Sequence, residues 1–336
     1  MTEAQGAEEY AWEGLLACAT GPQDRVLAVG NPLAPSGRFF AANRPQSDWR
    51  SIQASALDHP NLTERRTVIP GGPSQAFIDR MRTEYGEASP VYVARVLSEF
   101  PDQGEQGLFR RSWLEEAARR WTLWEGPRAG EEPVIAVDPA RYGPDETVVA
   151  VRHGDVVSEL VAWRRTDLME TVERVQAVLE RVGVTAGEEP SAQGVVVVDE
   201  VGLGAGVADR LRELGYNVHG FNGGRQAQAS GRFANSRAET YWKLRELLEH
   251  GTVALPPDEK LFDELVALQW RATPEGRVRL EAKEDVHGRI GRSPDRANAV
   301  TMALSPLLYQ ALDVPLDADF AAANARFWRP SPWRTG

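Results

Sequence analysis

Four consecutive valines, Val195 to Val198, stand between Gly194 and Asp199. β-branched side chains suit an extended backbone. A strand that is apolar at every position has to be covered on both faces, as the strands of parallel sheets are. The run therefore predicts the middle of an α/β sheet rather than an edge, with an acidic pair, Asp199 and Glu200, at its carboxyl end. Gly202, Gly204 and Gly206 follow. That spacing suits a close strand-to-helix turn and equally a phosphate-binding loop, and on its own it does not decide between them.

The elements around this strand follow a readable order. Residues 134–137 form an apolar strand running into Asp138, and residues 147–152 form a second strand. The Gly154–Asp155 turn then predicts an antiparallel third strand over 156–163. A helix capped by Asp167 runs to about 182, and after the valine strand come a helix at 205–214 closed by Gly215 and a strand at 217–221. Apolar periodicity predicts helices over 236–250 and 258–270, and alternation predicts a strand over 277–281. A last helix spans 293–308, with Ser293 as cap and Pro294 at the first helical position. Three antiparallel strands, a helix, and then further strands each followed by a helix predict an α/β fold of the RNase H-like type, a mixed central sheet flanked by helices.

The first part also reads as α/β, with a buried strand at 25–30 (RVLAVG) stopped by Asn31-Pro32, and helices at 75–85, 90–100 and 113–124. Residues 125–133 (EGPRAGEEP) combine Gly, Pro and charge without periodicity and mark a boundary. Three regions result: 1–125, a second α/β domain over 126–312, and a tail over 313–336 rich in Pro, Ala and Trp that is expected to be partly disordered.

Three acids stand at element ends: Asp138 and Asp199 after strands, and Asp295 in the first turn of the last helix. Open sheets place ligand sites at strand carboxyl ends. Carboxylates crowded there raise one another's pKa, and divalent cations relieve the repulsion. Mg²⁺ takes oxygen ligands and keeps waters, and a pair of ions about 3.5–4 Å apart can activate a water and stabilise the leaving oxygen of a phosphodiester. Each acid also has an ordinary reading. Asp begins turns, and an acid in the first helical turn favours the helix dipole. Asp145 and Glu146 read as turn residues.

Composition narrows the classes. A net charge of −11 argues against coating nucleic acid by bulk electrostatics, though not against a local basic face. The lone cysteine, Cys18, excludes an intramolecular disulfide and a cysteine zinc cluster. No apolar run approaches the ~18 residues of a membrane span. Two basic stretches break the acidic background: Arg225, Arg232, Arg237, Lys243 and Arg245, and then Arg271, Arg277, Arg279, Lys283, Arg289 and Arg292. They are candidate phosphate contacts, above all Arg225, Arg232, Arg237, Lys283, Arg289 and Arg292; the alternative is a solvated surface. Residues 223–231 read as a mobile loop beside the cleft.

Four pieces in order resemble the nuclease region of the large subunit of tailed-phage DNA-packaging terminases: Ala136-Val-Asp138-Pro-Ala-Arg-Tyr-Gly-Pro-Asp145-Glu-Thr, Val196-Val-Val-Asp199-Glu-Val-Gly-Leu-Gly-Ala-Gly, Asn235-Ser-Arg-Ala-Glu-Thr-Tyr-Trp242, and Gly291-Arg-Ser-Pro-Asp295-Arg-Ala-Asn298-Ala. The resemblance implies a two-metal endonuclease that uses Mg²⁺ or Mn²⁺, with Asp138, Asp199 and Asp295 as catalytic metal ligands. The last motif usually carries a second acid where Asn298 stands; Asn298 is expected to offer a neutral oxygen ligand. Before the boundary the chain resembles the end of the family's packaging ATPase. Glu3 matches the catalytic glutamate, Thr2 takes the place of the Walker B aspartate, and Gly30-Asn31-Pro32 matches the coupling motif. No G-x-x-x-x-G-K-[ST] occurs, so ATP hydrolysis is expected only of a full-length protein, and the chain reads as a C-terminal portion with a partial P-loop region. The resemblance further implies concatemeric duplex DNA as substrate, a portal protein and a small terminase subunit as partners, no membrane, and the bacterial host cytoplasm as location. An idle fragment or assembly subunit is the alternative; a junction resolvase fits less, because it has no use for an ATPase-like part.

Overall fold

The computed structural model describes residues 1–7, 9–140, 145–187 and 194–305. The N-terminal region holds helices α1 (Glu9–Ala17), α2 (Gly37–Ala42), α3 (Pro60–Thr63), α4 (Gln75–Tyr85) and α5 (Pro90–Tyr92), the last continuing as a π-helical turn over Val93–Leu97. Helix α6 (Arg111–Thr122) leads to the sheet. Strands β1 (Val134–Asp138), β2 (Thr147–His153) and β3 (Val156–Trp163) precede α7 (Leu168–Arg181), β4 (Val195–Asp199), α8 (Leu203–Glu213) and β5 (Val218–Phe221). Helices α9 (Ser236–Glu249) and α10 (Glu259–Ala267), a hairpin of β6 (Trp270–Ala272) and β7 (Val278–Leu280), and helices α11 (Lys283–Ile290) and α12 (Asp295–Ala303) complete the order.

The five main strands lie in the order β3-β2-β1-β4-β5. β1 pairs antiparallel with β2, and β2 with β3; β1 pairs parallel with β4, and β4 with β5. Three strands in a meander, joined to two added in parallel through helical crossovers, are the RNase H-like arrangement the sequence predicts. Because successive side chains of a strand point to opposite faces, the valine run supplies both sides of the sheet. Ile135, Val137, Val149, Val151, Val196 and Val198 pack beneath α7 and α8 with Val172, Val175, Leu179, Val207 and Leu211. Val134, Ala136, Val148, Ala150, Val195 and Val197 pack on the other face with Leu244, Leu261, Leu265, Val300 and Leu304. Each fully buried valine contributes roughly 1.5–3 kcal/mol of burial, which fixes the strand in the middle of the sheet.

Leu108, Phe109, Leu114 and Ala117 belong to this second core, so α6 and the segment before it pack with the sheet although they precede residue 126. The N-terminal region has small cores of its own: Ile78, Met81, Tyr92 and Val96 in one, and Ala4, Trp12 and Phe39 in the other.

Several expectations are corrected. Among the described residues before Val134 there is no strand, so that region is helical with extended connections and not α/β. Residues 25–30 are extended, but among the described residues their backbone bonds to the chain start, through Val29 N to Met1 O at 2.8 Å and Ala4 N to Val29 O at 2.9 Å. With no further partner strand, Leu27 is 70% and Val29 50% exposed, not buried. The helix expected over 258–270 ends at Ala267, since Trp270 pairs with Leu280 in the hairpin. The last helix starts at Asp295, and Pro294 rather than Ser293 is its cap. The segment 223–231 is pinned: Glu239 accepts from the amides of Gln228 (2.8 Å) and Ala229 (3.0 Å), and Arg237 N donates to Gly223 O at 2.9 Å. The tail over 313–336 and residues 141–144 of the first motif lie outside the described residues.

Candidate metal centre

β1 and β4 run parallel with Val137 beside Val198. The next residue on each strand is an acid, so Asp138 and Asp199 leave the same edge of the sheet about one strand spacing, roughly 4.8 Å, apart. The turn after β4 is shaped to leave this edge open. Gly202 takes a left-handed backbone (φ 65°), and a Cβ on Gly204 would lie 1.6 Å from the carbonyl oxygen of Asp199. Only glycine lets α8 start so close to the strand, which is the ordinary reading of that glycine spacing.

Helix α12 brings the third acid. The backbone amide of Glu146, just before β2, donates to Asp295 Oδ2 at 2.8 Å. Glu146 is itself held by Arg164, Lys260 and Arg296, each 3.1 Å away. Three residues after Asp295, one helical turn on, Asn298 Nδ2 donates to Asp138 Oδ2 at 2.9 Å, and Asn298 Oδ1 accepts from the Tyr241 hydroxyl at 2.7 Å. The oxygen expected to face a metal is engaged here by the Tyr241 hydroxyl, and the nitrogen faces the carboxylate.

Burial dominates the electrostatics. It raises Asp138 to about 7, helped by Asp295 and Asp199 and opposed by Lys283 and the Asn298 amide. Asp295 is raised to about 6, chiefly by burial and despite the Glu146 amide. Asp199 is raised by burial, against the pull of Lys283 and the Val201 amide. Lys283 Nζ stands 3.9 Å from Asp199 Oδ2, so this lysine, expected among the DNA contacts, belongs to the carboxylate cluster. Glu200 turns away to Arg212 at 2.8 Å. Glu264, buried beneath α12, accepts from Ala297 N at 2.9 Å and is raised to about 8 by burial.

Among the described residues no three His, Cys, Asp or Glu side chains already form a ready metal cage; Asp199 and Asp295 each lie near enough to Asp138 to push its pKa up. Their chemistry nevertheless fits a hard divalent cation. The donors are carboxylate oxygens, they are short of water, and one lysine and one amide offset only part of their charge.

The other expected site residues divide. Arg225 is 65% exposed at its side chain, with Glu200 at 3.6 Å. Arg232 pairs with Glu246 at 3.2 Å and lies over Phe233 and Trp242. Arg237 donates to Glu281 O at 2.6 Å and covers the Tyr241 ring, and its Nε and Nη2 are buried. Arg289 is taken by Glu281 and Ala267 O, and Arg292 by Glu264, Asp263 and Lys260 O. Arg237, Arg289 and Arg292 are therefore each engaged with carbonyl or carboxylate partners of the fold. Glu3, with a left-handed backbone (φ 57°), and Asn31 are exposed in the N-terminal region, and the carboxylate cluster is built without them. Sequence reasoning gave no role to Tyr241, although it lies inside a quoted motif, and passed over Glu264. The one usable signal for Glu264 was an acid flanked by Leu261, Phe262, Leu265 and Val266 on an amphipathic helix.

No known family model matches the chain. Among solved structures, the chain is similar to the nuclease domain of the large terminase subunit gp2 of bacterial virus Sf6 (24% identity, TM-score 0.47, covering 59% of this chain and 97% of that one). It is also similar to the large terminase nuclease from thermophilic phage G20c with bound magnesium (23%, TM-score 0.41, covering 54% and 85%). Among curated proteins it is 22% identical over 325 residues to a probable terminase large subunit of Enterobacteria phage P7, a match that covers 90% of this chain. The chain spans 62% of that protein's length. By its sequence the chain is thus similar, along nine-tenths of its length, to a probable terminase large subunit of a phage.

Proposed function

We propose that the chain is the nuclease-bearing part of a phage packaging terminase large subunit and cuts concatemeric duplex DNA in a reaction that depends on divalent metal. The observation that carries this reading is the placement of Asp138 and Asp199 at the ends of adjacent parallel strands, with Asp295 at the start of a helix that packs on β1 and β2. The match to a terminase large subunit along nine-tenths of the chain supports it independently. In this reading Asp138, Asp199 and Asp295 hold two Mg²⁺ or Mn²⁺ ions, which when bound would polarise a water and the leaving oxygen of a phosphodiester. The protein's own part is to desolvate the carboxylates, to orient Asp295 through the Glu146 amide and Asp138 through Asn298, and to supply positive charge from Lys283 and Arg225 beside the phosphate.

The nuclease unit would begin ahead of α6, near residue 104, rather than at 126, because α6 is part of its core. Portal protein and small terminase subunit are the partners this function requires, the host cytoplasm is where it would act, and ATP turnover would need a Walker loop that this sequence does not contain. Among the described residues no helix is long and apolar enough to cross a membrane.

The test is plasmid DNA incubated with the chain in Mn²⁺, in Mg²⁺ and in chelator. Metal-dependent cutting supports the reading; no cutting in either metal by a folded chain transfers it to an idle fragment or assembly subunit.

A further inference from the structure

Three side chains from three elements form an unbroken buried line: Tyr241 on α9, Asn298 on α12 and Asp138 on β1, all under one-tenth exposed. The phenol donates to the amide oxygen, and the amide nitrogen donates to the carboxylate. With Asp138 ionised, as cation binding requires, chemistry determines the direction of the line. Only the nitrogen of Asn298 can donate to a carboxylate, so Oδ1 must face the phenol. Burial keeps Tyr241 protonated, so its hydroxyl remains a donor. The phenol is fixed in turn: its ring packs against Phe109 at 6.4 Å and beneath the Arg237 guanidinium, and Arg237 is anchored to the Glu281 carbonyl. The backbone of Asn298 is fixed as well, because the Thr301 hydroxyl bonds to its carbonyl at 2.9 Å.

We propose that Asn298 is a positioning residue and not a metal ligand: locked by Tyr241, its amide holds one oxygen of Asp138 and leaves the other to face Asp199 and Asp295. The cation site is then built from three carboxylates with a neutral clamp behind the most buried of them, so its affinity depends on a phenol that never touches the ion. This inference rests on the metal-centre reading above and adds to it the residues that orient the site.

Two variants discriminate, read by titration calorimetry with Mn²⁺ alone and by melting in chelator. Tyr241→Phe keeps the ring and removes the donor. Under the proposal the amide loosens, and Mn²⁺ binds about tenfold more weakly, the usual scale for losing a partner that orients a ligand. Were Asn298 a ligand held off by Tyr241, the same variant would free its oxygen and tighten binding. Tighter or unchanged Mn²⁺ binding in folded Tyr241→Phe overturns the proposal. Asn298→Asp places a second carboxylate against Asp138. The expected result is a lower melting temperature in chelator and a larger metal-induced rise than in the unmodified chain; equal melting in chelator overturns the clamp. A folded, unmodified chain that binds no Mn²⁺ overturns the metal centre and the clamp together. Binding without DNA cleavage overturns only the nuclease reading and leaves the clamp to the two variants.

Discussion

The sheet domain and the N-terminal region treat their apolar residues in opposite ways. Val195 to Val198 are buried on both faces of the sheet, and each central strand ends in an acid, Asp138 buried and Asp199 partly buried. In the N-terminal region, Leu27 and Val29, on an equally apolar run, are largely exposed, as are Tyr10 and Ile52. The same kind of sequence yields a strand in one place and an extended connection in the other. The difference is the partner: β4 has β1 and β5 on either side, whereas residues 25–30 have only the chain start. Strand formation is decided by what the run can pair with and be covered by, and the candidate metal centre lies where the covered edge ends in acids.

The contrast can be broken most forcefully at Asp199. Replacing Asp199 by Ala should lower metal-dependent DNA cleavage by more than about 100-fold, beyond the 10–100-fold typical of losing a partner that merely orients a ligand. Glu3→Ala, in the N-terminal region, should leave cleavage unchanged in the same plasmid assay. Next comes stability. Leu114→Ala in α6 should cost about 2–5 kcal/mol in urea unfolding, as a fully buried leucine does, whereas Leu27→Ala should stay within about 0.5 kcal/mol. A small effect at Leu114 would return α6 to the N-terminal region.

The pH dependence should be smaller and of definite sign. Asp138 and Glu264 have folded pKa values raised to about 7 and about 8 by burial, above their unfolded values near 4. The folded state therefore binds more protons. The stability this gives is complete below about pH 4 and is lost as pH rises through 7 to 8, by up to about 1.4 kcal/mol per pH unit for each group. In chelator the melting temperature should fall between pH 5 and 8, and Mn²⁺ should restore most of it at pH 8. A melting temperature that rises over that range would contradict the burial of these acids. The smallest effect concerns DNA. Arg225→Ala should reduce the slope of log binding constant against log salt by about 1, while Arg289→Ala should lower stability through the lost Glu281 pair.

Much of the sheet was readable because strands buried on both faces leave a strong mark. The valine run, the Gly154 turn and the acids at 138 and 199 mark the central strands and two of the candidate acids, and Asp167 caps α7 as expected, its carboxylate accepting from Glu170 N at 2.8 Å. Other features were not readable because they depend on contacts between residues distant in sequence. Tyr241 and Asn298 are 57 residues apart, and no local pattern links them. The arginines at 237, 289 and 292 carry the composition of a DNA-binding face, yet each finds a carbonyl or carboxylate inside the fold. Lys283 sits at the start of a helix that the sequence reading passed over, and its place beside Asp199 comes from the packing of α11, not from its neighbours in the chain. The apolar run at 25–30 misled for the reverse reason: its composition is that of a strand, and its surroundings are not.

The central claim is that the acids at the end of β1, β4 and the start of α12 form one divalent-metal centre. The most direct measurement is anomalous diffraction from crystals soaked in Mn²⁺. The account predicts manganese peaks bounded by Asp138, Asp199 and Asp295, with the Asn298 amide behind Asp138 and outside the coordination sphere. Manganese bound elsewhere, or none at this edge at saturating concentration, would contradict it.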